Sequence, residues 1–384
     1  MKIPNHILPT IVLAQFLCTS LWFAGNAVMS DLVQQFALPT TALGHLTAVV
    51  QFGFIIGTLL FAILTIADRY SPSKVFLICA WLGAISNLGT IWEGNSLTSL
   101  LFFRFMTGFC LAGIYPVGMK IAADYFDKGL GKSLGFLVGA LVLGTAFPHL
   151  LKGFSAELPW RNVLIATSTL AAIGGTLLWF FVKDGPFRKA SKGFDVTAIF
   201  RVFKKRPFRG AAFGYFGHMW ELYAFWTFVP LLLQTHNTLT NNNLSVSLWS
   251  FIIIGIGGLG CVVGGYLAQV LGTRTVAISA LTISGLCCLV SPFAFGLPTF
   301  GFLGFLLIWG VSVVADSPLF STLVAQNAPV AIKGTALTIV NSIGFFITIW
   351  SIQLLNNWTL TTYIFLILAV GPLFGLVSLY RLGK

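Results

Sequence analysis

Apolar residues run through this chain in long blocks separated by short polar connections. A helix needs roughly 20 predominantly apolar residues to cross a hydrocarbon core of about 30 Å. Twelve blocks meet that length, near 7–29, 42–66, 73–92, 97–125, 131–151, 162–183, 210–235, 246–270, 274–295, 299–325, 333–355 and 360–381. They predict an all-α membrane protein of twelve transmembrane helices in two six-helix halves. The first half occupies 1–183, a basic connection 184–209, and the second half 210–384.

Charge sharpens this picture. Only 8% of residues are Asp, Glu, Lys or Arg, yet nine of the 22 basic residues fall between Lys183 and Arg209. Basic residues accumulate on the cytoplasmic side of short loops. With the N-terminus inside, 18 of 22 lie on that side: Lys2, Arg69, Lys74, Lys128, Lys132, the nine of the central connection, Arg274, Lys333, Arg381 and Lys384. Lys152 and Arg161 then face outward, while Arg104 and Lys120 lie within the fourth span. Both termini are expected in the cytoplasm. The net charge of +12 describes a membrane face meeting anionic lipid rather than a nucleic-acid site. In the central connection, Val196, Ile199, Phe200 and Phe203 set against Arg201, Lys204 and Lys205 read as a short amphipathic helix on lipid, or as a tether. The N-terminus lacks the small-residue cleavage site of a signal peptide, so the first block is expected to remain as a span. All six cysteines fall inside spans, which gives no disulfide framework.

The two halves repeat. Gly108 and Pro116 are spaced as Gly310 and Pro318 are, at an offset of 202, and Lys132 matches Lys333 at 201. Asp68, in Ala67-Asp68-Arg69-Tyr70-Ser71-Pro72-Ser73-Lys74, corresponds to Gln269, in Gly265-Tyr266-Leu267-Ala268-Gln269-Val270-Leu271-Gly272-Thr273-Arg274. A duplicated six-helix unit of this kind places a solute site between the halves near the bilayer midplane.

These landmarks resemble the major facilitator superfamily along the whole chain. Its loop between spans two and three carries Gly-x-Leu-Ala-Asp-Arg-x-Gly-Arg-Arg. The first copy here keeps Ala67, Asp68, Arg69 and Lys74, with Leu64 and Ser71 in place of glycines; the second keeps Gly265 and Gly272 and loses the acid. The resemblance implies that Asp68, with Arg69, Lys74, Gly265, Gly272 and Arg274, belongs to a cytoplasmic gate locked against the other half. Arg104-x-x-x-Gly108 resembles the family's second motif. The Gly-Pro-x-x-Gly-Gly signature of drug/proton antiporters is absent from span five, which speaks against multidrug efflux. Span seven, Gly214 to Trp226, and Ala315-Asp316-Ser317-Pro318 resemble a bacterial branch near cyanate and nitrate permeases. Nitrate porters clamp the anion with arginines in spans two and eight, and neither span has one here, so nitrate itself is not expected.

Ionisable residues inside spans are costly, about 2.5 to 3.5 kcal/mol each on insertion scales, and mark function. Glu221 sits at the middle of span seven with His218 one turn earlier. A carboxylate held out of water there can load and release a proton near neutral pH, with the imidazole as partner or relay. Asp316 stands beside Pro318, which frees backbone carbonyls; its counterpart in the first half is Ile114. Proton coupling is therefore expected at Glu221, His218 and Asp316, with helix packing as the competing role.

Arg104 is the better cation of span four. With Gly108, Leu111 and Tyr115 it forms a stripe that can line one wall and receive a carboxylate or other anion, or else pair within its own half. Lys120 lies near the cytoplasmic end, where it can reach lipid phosphates. Trp22 and Asn26 share a face with Gln15 in span one, as Asn341 does with Thr348 in span eleven. With Tyr223 and Trp226 these are candidates for binding a small polar solute. No nucleotide loop, metal-ligand cluster or nucleophile–base pair occurs, so neither a cofactor nor an enzyme is expected. The sequence reads as a monomeric secondary transporter of the bacterial inner membrane, taking up a small polar or anionic solute with protons. An exporter or facilitator is the alternative, and a sensor or membrane enzyme on the same fold is more remote.

Overall fold

The computed structural model describes residues 3–39, 41–126, 130–154, 159–188, 202–329, 332–357 and 362–382. These residues form helices and short connections without a strand, in two compact units, Met1–Phe194 and Asp195–Lys384. Among them, nine helices are long and apolar enough to cross a membrane: Ala42–Ile63, Leu97–Tyr125, Ser133–Phe154, Arg161–Phe181, Val246–Leu271, Thr273–Ala294, Thr299–Asn327, Lys333–Asn356 and Ile364–Leu382.

The three other expected blocks are helical, each with a departure. The first is divided into Ile7–Thr19, Ala24–Ala27 and Met29–Gln35. The third gives Pro72–Gly89, 18 residues whose apolar run is diluted by Lys74, Ser86 and Asn87. The seventh lies within Arg206–Thr240, a 35-residue helix carrying His218, Glu221 and His236 along its length. The amphipathic helix expected near 195–205 falls mostly outside the described residues.

Each unit pairs its helices in the same way. In the first, Ala42–Ile63 packs on Leu97–Ala112, and Ile7–Thr19 on Arg161–Phe181 and Leu130–Phe154. In the second, Val246–Leu271 packs on Thr299–Ala315, and Arg206–Thr240 on Val370–Leu382 and Lys333–Asn356. The correspondence extends to single atoms. A Cβ on Gly108 would lie 2.0 Å from the Val50 carbonyl oxygen, and one on Gly310 2.1 Å from that of Ile253. Likewise Gly57 faces the Phe109 carbonyl at 2.7 Å and Gly260 faces that of Val311 at 2.9 Å. Glycine at these four positions lets paired helices touch along their backbones, the close approach that membrane helices use where lipid supplies no hydrophobic drive.

The spans containing Pro116 and Pro318 are interrupted at equivalent places, between Leu97–Ala112 and Tyr115–Tyr125 and between Thr299–Ala315 and Ser317–Asn327. Pro116 and Pro318 each begin the second segment as its second residue. Proline donates no backbone hydrogen bond, so the carbonyl four residues back is left to another partner. At Val314 the thiol of Cys261 takes that place, 3.2 Å away. The break puts Asp316 at the junction, buried to 1% exposure.

Candidate functional site

Glu221 and His218 lie on one helix but do not serve one another. The carboxylate of Glu221 accepts from the Trp309 indole at 2.6 Å, from the Ser284 hydroxyl at 2.9 Å and from the Cys288 thiol at 3.2 Å. These donors come from Thr273–Ala294 and Thr299–Ala315, so the acid joins three helices of the second unit. His218 turns instead to Asp316, its Nδ1 2.8 Å from Oδ1, with both residues 1% exposed. This corrects the expected pairing of His218 with Glu221. Three residues on a helix separate two side chains by about 60°, and here that angle sends them to different neighbours. Nε2 of His218 and both carboxylate oxygens of Asp316 have no hydrogen-bond partner among the described residues, so the 2.8 Å contact is an ion-pair approach rather than an aligned hydrogen bond. Glu221 is held by three donors, whereas Asp316 and His218 are buried with hydrogen-bonding capacity unfilled.

Arg104 is buried in the first unit at 2% exposure. Its Nη1 donates to the Leu21 carbonyl at 3.1 Å and reaches Asn87 Oδ1 at 3.5 Å, while Nη2 donates to the Trp22 carbonyl. Those carbonyls are offered because the first span is interrupted after Thr19, so its helical ladder does not consume them. No carboxylate joins this set among the described residues. Arg104 therefore fastens a broken helix within its own half while keeping an uncancelled charge. Gly108 faces the Val50 backbone and Leu111 is fully buried. The expected wall of Arg104, Gly108, Leu111 and Tyr115 is thus packed, and the break before Tyr115 interrupts its helical register.

The other candidates divide by environment. Trp22 and Phe54 hold their rings 4.9 Å apart, and Asn26 donates to the Thr47 hydroxyl at 2.8 Å. Tyr223 meets Trp226 and Phe345, each at 5.2 Å between rings, in the buried interior of the second unit. Tyr115 and Asn341 are half-buried.

At the loop carrying Asp68, Lys120 forms an ion pair 2.9 Å from the Asp68 carboxylate and lies 3.6 Å from Asp124. That replaces the expected reach of Lys120 to lipid phosphates: the short Tyr115–Tyr125 helix delivers it to the loop. Arg188 donates to the carbonyls of Asp68 and Tyr70 and pairs with Asp184. Arg69 bonds the Thr65 hydroxyl, and Lys74 is exposed. In the second copy Gly272 has a φ of +87°, a conformation natural to glycine, between two helices. Arg274 donates to the Leu379 carbonyl, and a Cβ on Gly265 would meet nothing within 4 Å. The two cations expected outside each pair with an acid, Lys152 with Asp31 and Arg161 with Glu93.

Trp309, Ser284 and Cys288 escape a reading of the sequence because none is charged. Ser284 and Cys288 are four residues apart on one helical face, which is the one signal available; a tryptophan in an apolar span carries none.

The model of the Major Facilitator Superfamily matches residues 11–352. The chain belongs to that superfamily. The probable sulfoacetate transporter SauU of Cupriavidus necator is 24% identical over 237 residues, 54% of this chain and 52% of that protein. The niacin transporter NiaP of Acinetobacter baylyi is 31% identical over 134 residues, 32% of this chain and 29% of NiaP. The matched stretch thus spans about half the length of SauU and less of NiaP. The structure of the superfamily's proton:xylose symporter XylE, bound to 6-bromo-6-deoxy-D-glucose, aligns with a TM-score of 0.78 over 100% of this chain and 97% of XylE, at 15% identity. At that identity the likeness concerns the fold. Superfamily membership and the nine apolar helices among the described residues make this a multi-pass protein of the bacterial inner membrane.

Proposed function

We propose that this chain is a secondary transporter that carries a small carboxylate or sulfonate across the inner membrane by alternating access, coupled to protons as a symporter. The observation that carries this reading is the buried His218–Asp316 pair, whose outer atoms have no partner among the described residues. Ionisable groups that deep in a membrane protein mark function, and an acid in contact with an imidazole is a pair that can hold and pass a proton. Glu221 is the fixed acid beside them, and Arg104 supplies the positive potential that favours an anion. The relatives named for sulfoacetate and niacin carry acids of that size, and XylE is titled a proton symporter.

In this reading the chain crosses the membrane twelve times with both termini in the cytoplasm, its basic loops against anionic lipid. Asp68, Arg69 and Lys74 with Gly265, Gly272 and Arg274 belong to the cytoplasmic gate. Trp22, Asn26, Tyr115, Tyr223, Trp226 and Asn341 are the polar and aromatic positions available to a solute, and the protein acts as a monomer.

The experiment is uptake into proteoliposomes. With an acidic exterior the purified protein should concentrate sulfoacetate or nicotinate above the outside level, and a protonophore should abolish the excess. Entry that stops at equal concentrations with and without the gradient would make the protein a facilitator.

A further inference from the structure

Where the chain leaves Arg161–Phe181, residues 182–188 fold back on the loop of Asp68. Val182 is buried, and its carbonyl accepts from the Ser73 hydroxyl at 2.7 Å; the Lys183 carbonyl accepts from the Tyr125 hydroxyl at 2.8 Å. Gly185-Pro186-Phe187-Arg188 then closes a turn, with the Arg188 N–H on the Gly185 carbonyl at 3.2 Å. Proline presets the second position of such a turn. The residue before it must be small: a Cβ on Gly185 would lie 2.3 Å from the Asp124 carbonyl oxygen, the atom to which the Phe187 N–H donates at 2.9 Å. The turn is thereby pressed against the end of the Tyr115–Tyr125 helix.

Arg188 is the group this turn presents to the loop. Its Nη2 donates to the carbonyls of Asp68 at 2.9 Å and Tyr70 at 2.8 Å. Pro72, four residues beyond Asp68, has no N–H to offer the first of these, and Tyr70 is extended, so helical bonding takes up neither. Nη1 pairs with Asp184, whose Oδ1 accepts from the Ser71 hydroxyl at 2.7 Å. The Arg188–Asp184 pair is partly exposed and would add little by itself. What it does is aim a planar fork that meets two carbonyls and a carboxylate at once. The Asp68 carboxylate is meanwhile paired with Lys120 at 2.9 Å. The backbone and the side chain of this acid are each fixed by a cation of its own unit.

We infer that Arg188 is a positioning residue of the gate: by holding the Asp68 and Tyr70 carbonyls from the turn after span six, it sets where the Asp68 carboxylate stands. The inference rests on the gate assigned to Asp68 in the transporter reading and adds the group that orients it. The second copy of the loop has Gln269 in place of the acid, and its Arg274 is tied to the Leu379 carbonyl instead. The clasp thus accompanies the copy that keeps the acid.

The test uses two reporters in the full chain, read without a solute: a nitroxide on Tyr70→Cys for the loop, and alkylation of Asn341→Cys by a charged maleimide supplied from the cytoplasm for the gate. The native cysteines are buried and stay silent. Arg188→Ala should sharpen the nitroxide spectrum and speed alkylation roughly tenfold, the scale of a lost charge-assisted hydrogen bond. Asp68→Asn should speed alkylation as much, and the double variant no more than either, because one residue acts through the other. Arg188→Lys should behave as Arg188→Ala does, since an ammonium lacks the fork. Asp184→Asn, which leaves Arg188 in place, should give a smaller change in the same direction and serves if Arg188→Ala does not fold. An unchanged nitroxide spectrum in Arg188→Ala would overturn the clasp. A loosened loop with alkylation at the parent rate, or effects of Arg188→Ala and Asp68→Asn that multiply, would make Arg188 merely structural and overturn its positioning role. Asp68→Asn at the parent rate would instead remove the gate itself, and the inference with it.

Discussion

Nδ1 of His218 stands 2.8 Å from Oδ1 of Asp316, and neither residue exposes more than 1% of its surface. The pair sits where a span is interrupted before Pro318, whereas Glu221, one turn from His218, is fixed by donors from two other helices. Two acids in one unit thus have distinct surroundings: one held by three neutral donors, the other against an imidazole.

The Glu221 cage makes a first prediction. Trp309→Phe removes the indole N–H while retaining an aromatic ring against Phe225, whose centroid is 4.5 Å from that of Trp309. Leaving a buried carboxylate short of a donor costs about 1–3 kcal/mol, so the variant should melt several degrees lower. Unchanged melting would mean that the bond contributes nothing to the fold.

Glycine substitutions should separate packed positions from open ones. Gly108→Ala and Gly310→Ala each bring a methyl against a carbonyl oxygen at 2.0 and 2.1 Å and should lower stability by about 1–3 kcal/mol. Gly265→Ala, with nothing within 4 Å, should stay within about 0.5 kcal/mol of the parent. Denaturation followed by tryptophan fluorescence in detergent measures all three, and equal effects would contradict the repeated helix pairing.

Topology is tested by labelling. The native cysteines are buried, so added ones report cleanly. Cysteines replacing Lys74 or Lys333 should react only with reagent supplied from the cytoplasm, and one replacing Asn241 only with reagent from outside. One reversed position would overturn the orientation.

Much of this architecture is legible in the sequence. Apolar run length finds the helices, and the offset shared by Gly108 and Gly310 is reproduced in their contacts with Val50 and Ile253. The interruption after Thr19 is hidden because Ser20 to Phe23 contain neither proline nor glycine and remain apolar overall. Helical periodicity places His218 and Glu221 on adjacent faces but carries no information about which helix lies opposite, so the Asp316 pair and the Trp309 bond emerge only from packing.

The most direct test of the account is a comparison of two transport modes in Asp316→Asn. Proteoliposomes loaded with sulfoacetate or nicotinate report exchange between equal pools, and empty ones in acidic medium report accumulation driven by the proton gradient. Asn at 316 retains hydrogen-bonding groups but cannot bind or release the proton, so exchange should persist within about a factor of three while gradient-driven accumulation falls to the equilibrium level. Glu221→Gln should lower both modes together through loss of the cage. If Asp316→Asn still concentrated the solute as the parent does, the His218–Asp316 pair would not be the coupling site and the central claim would fail.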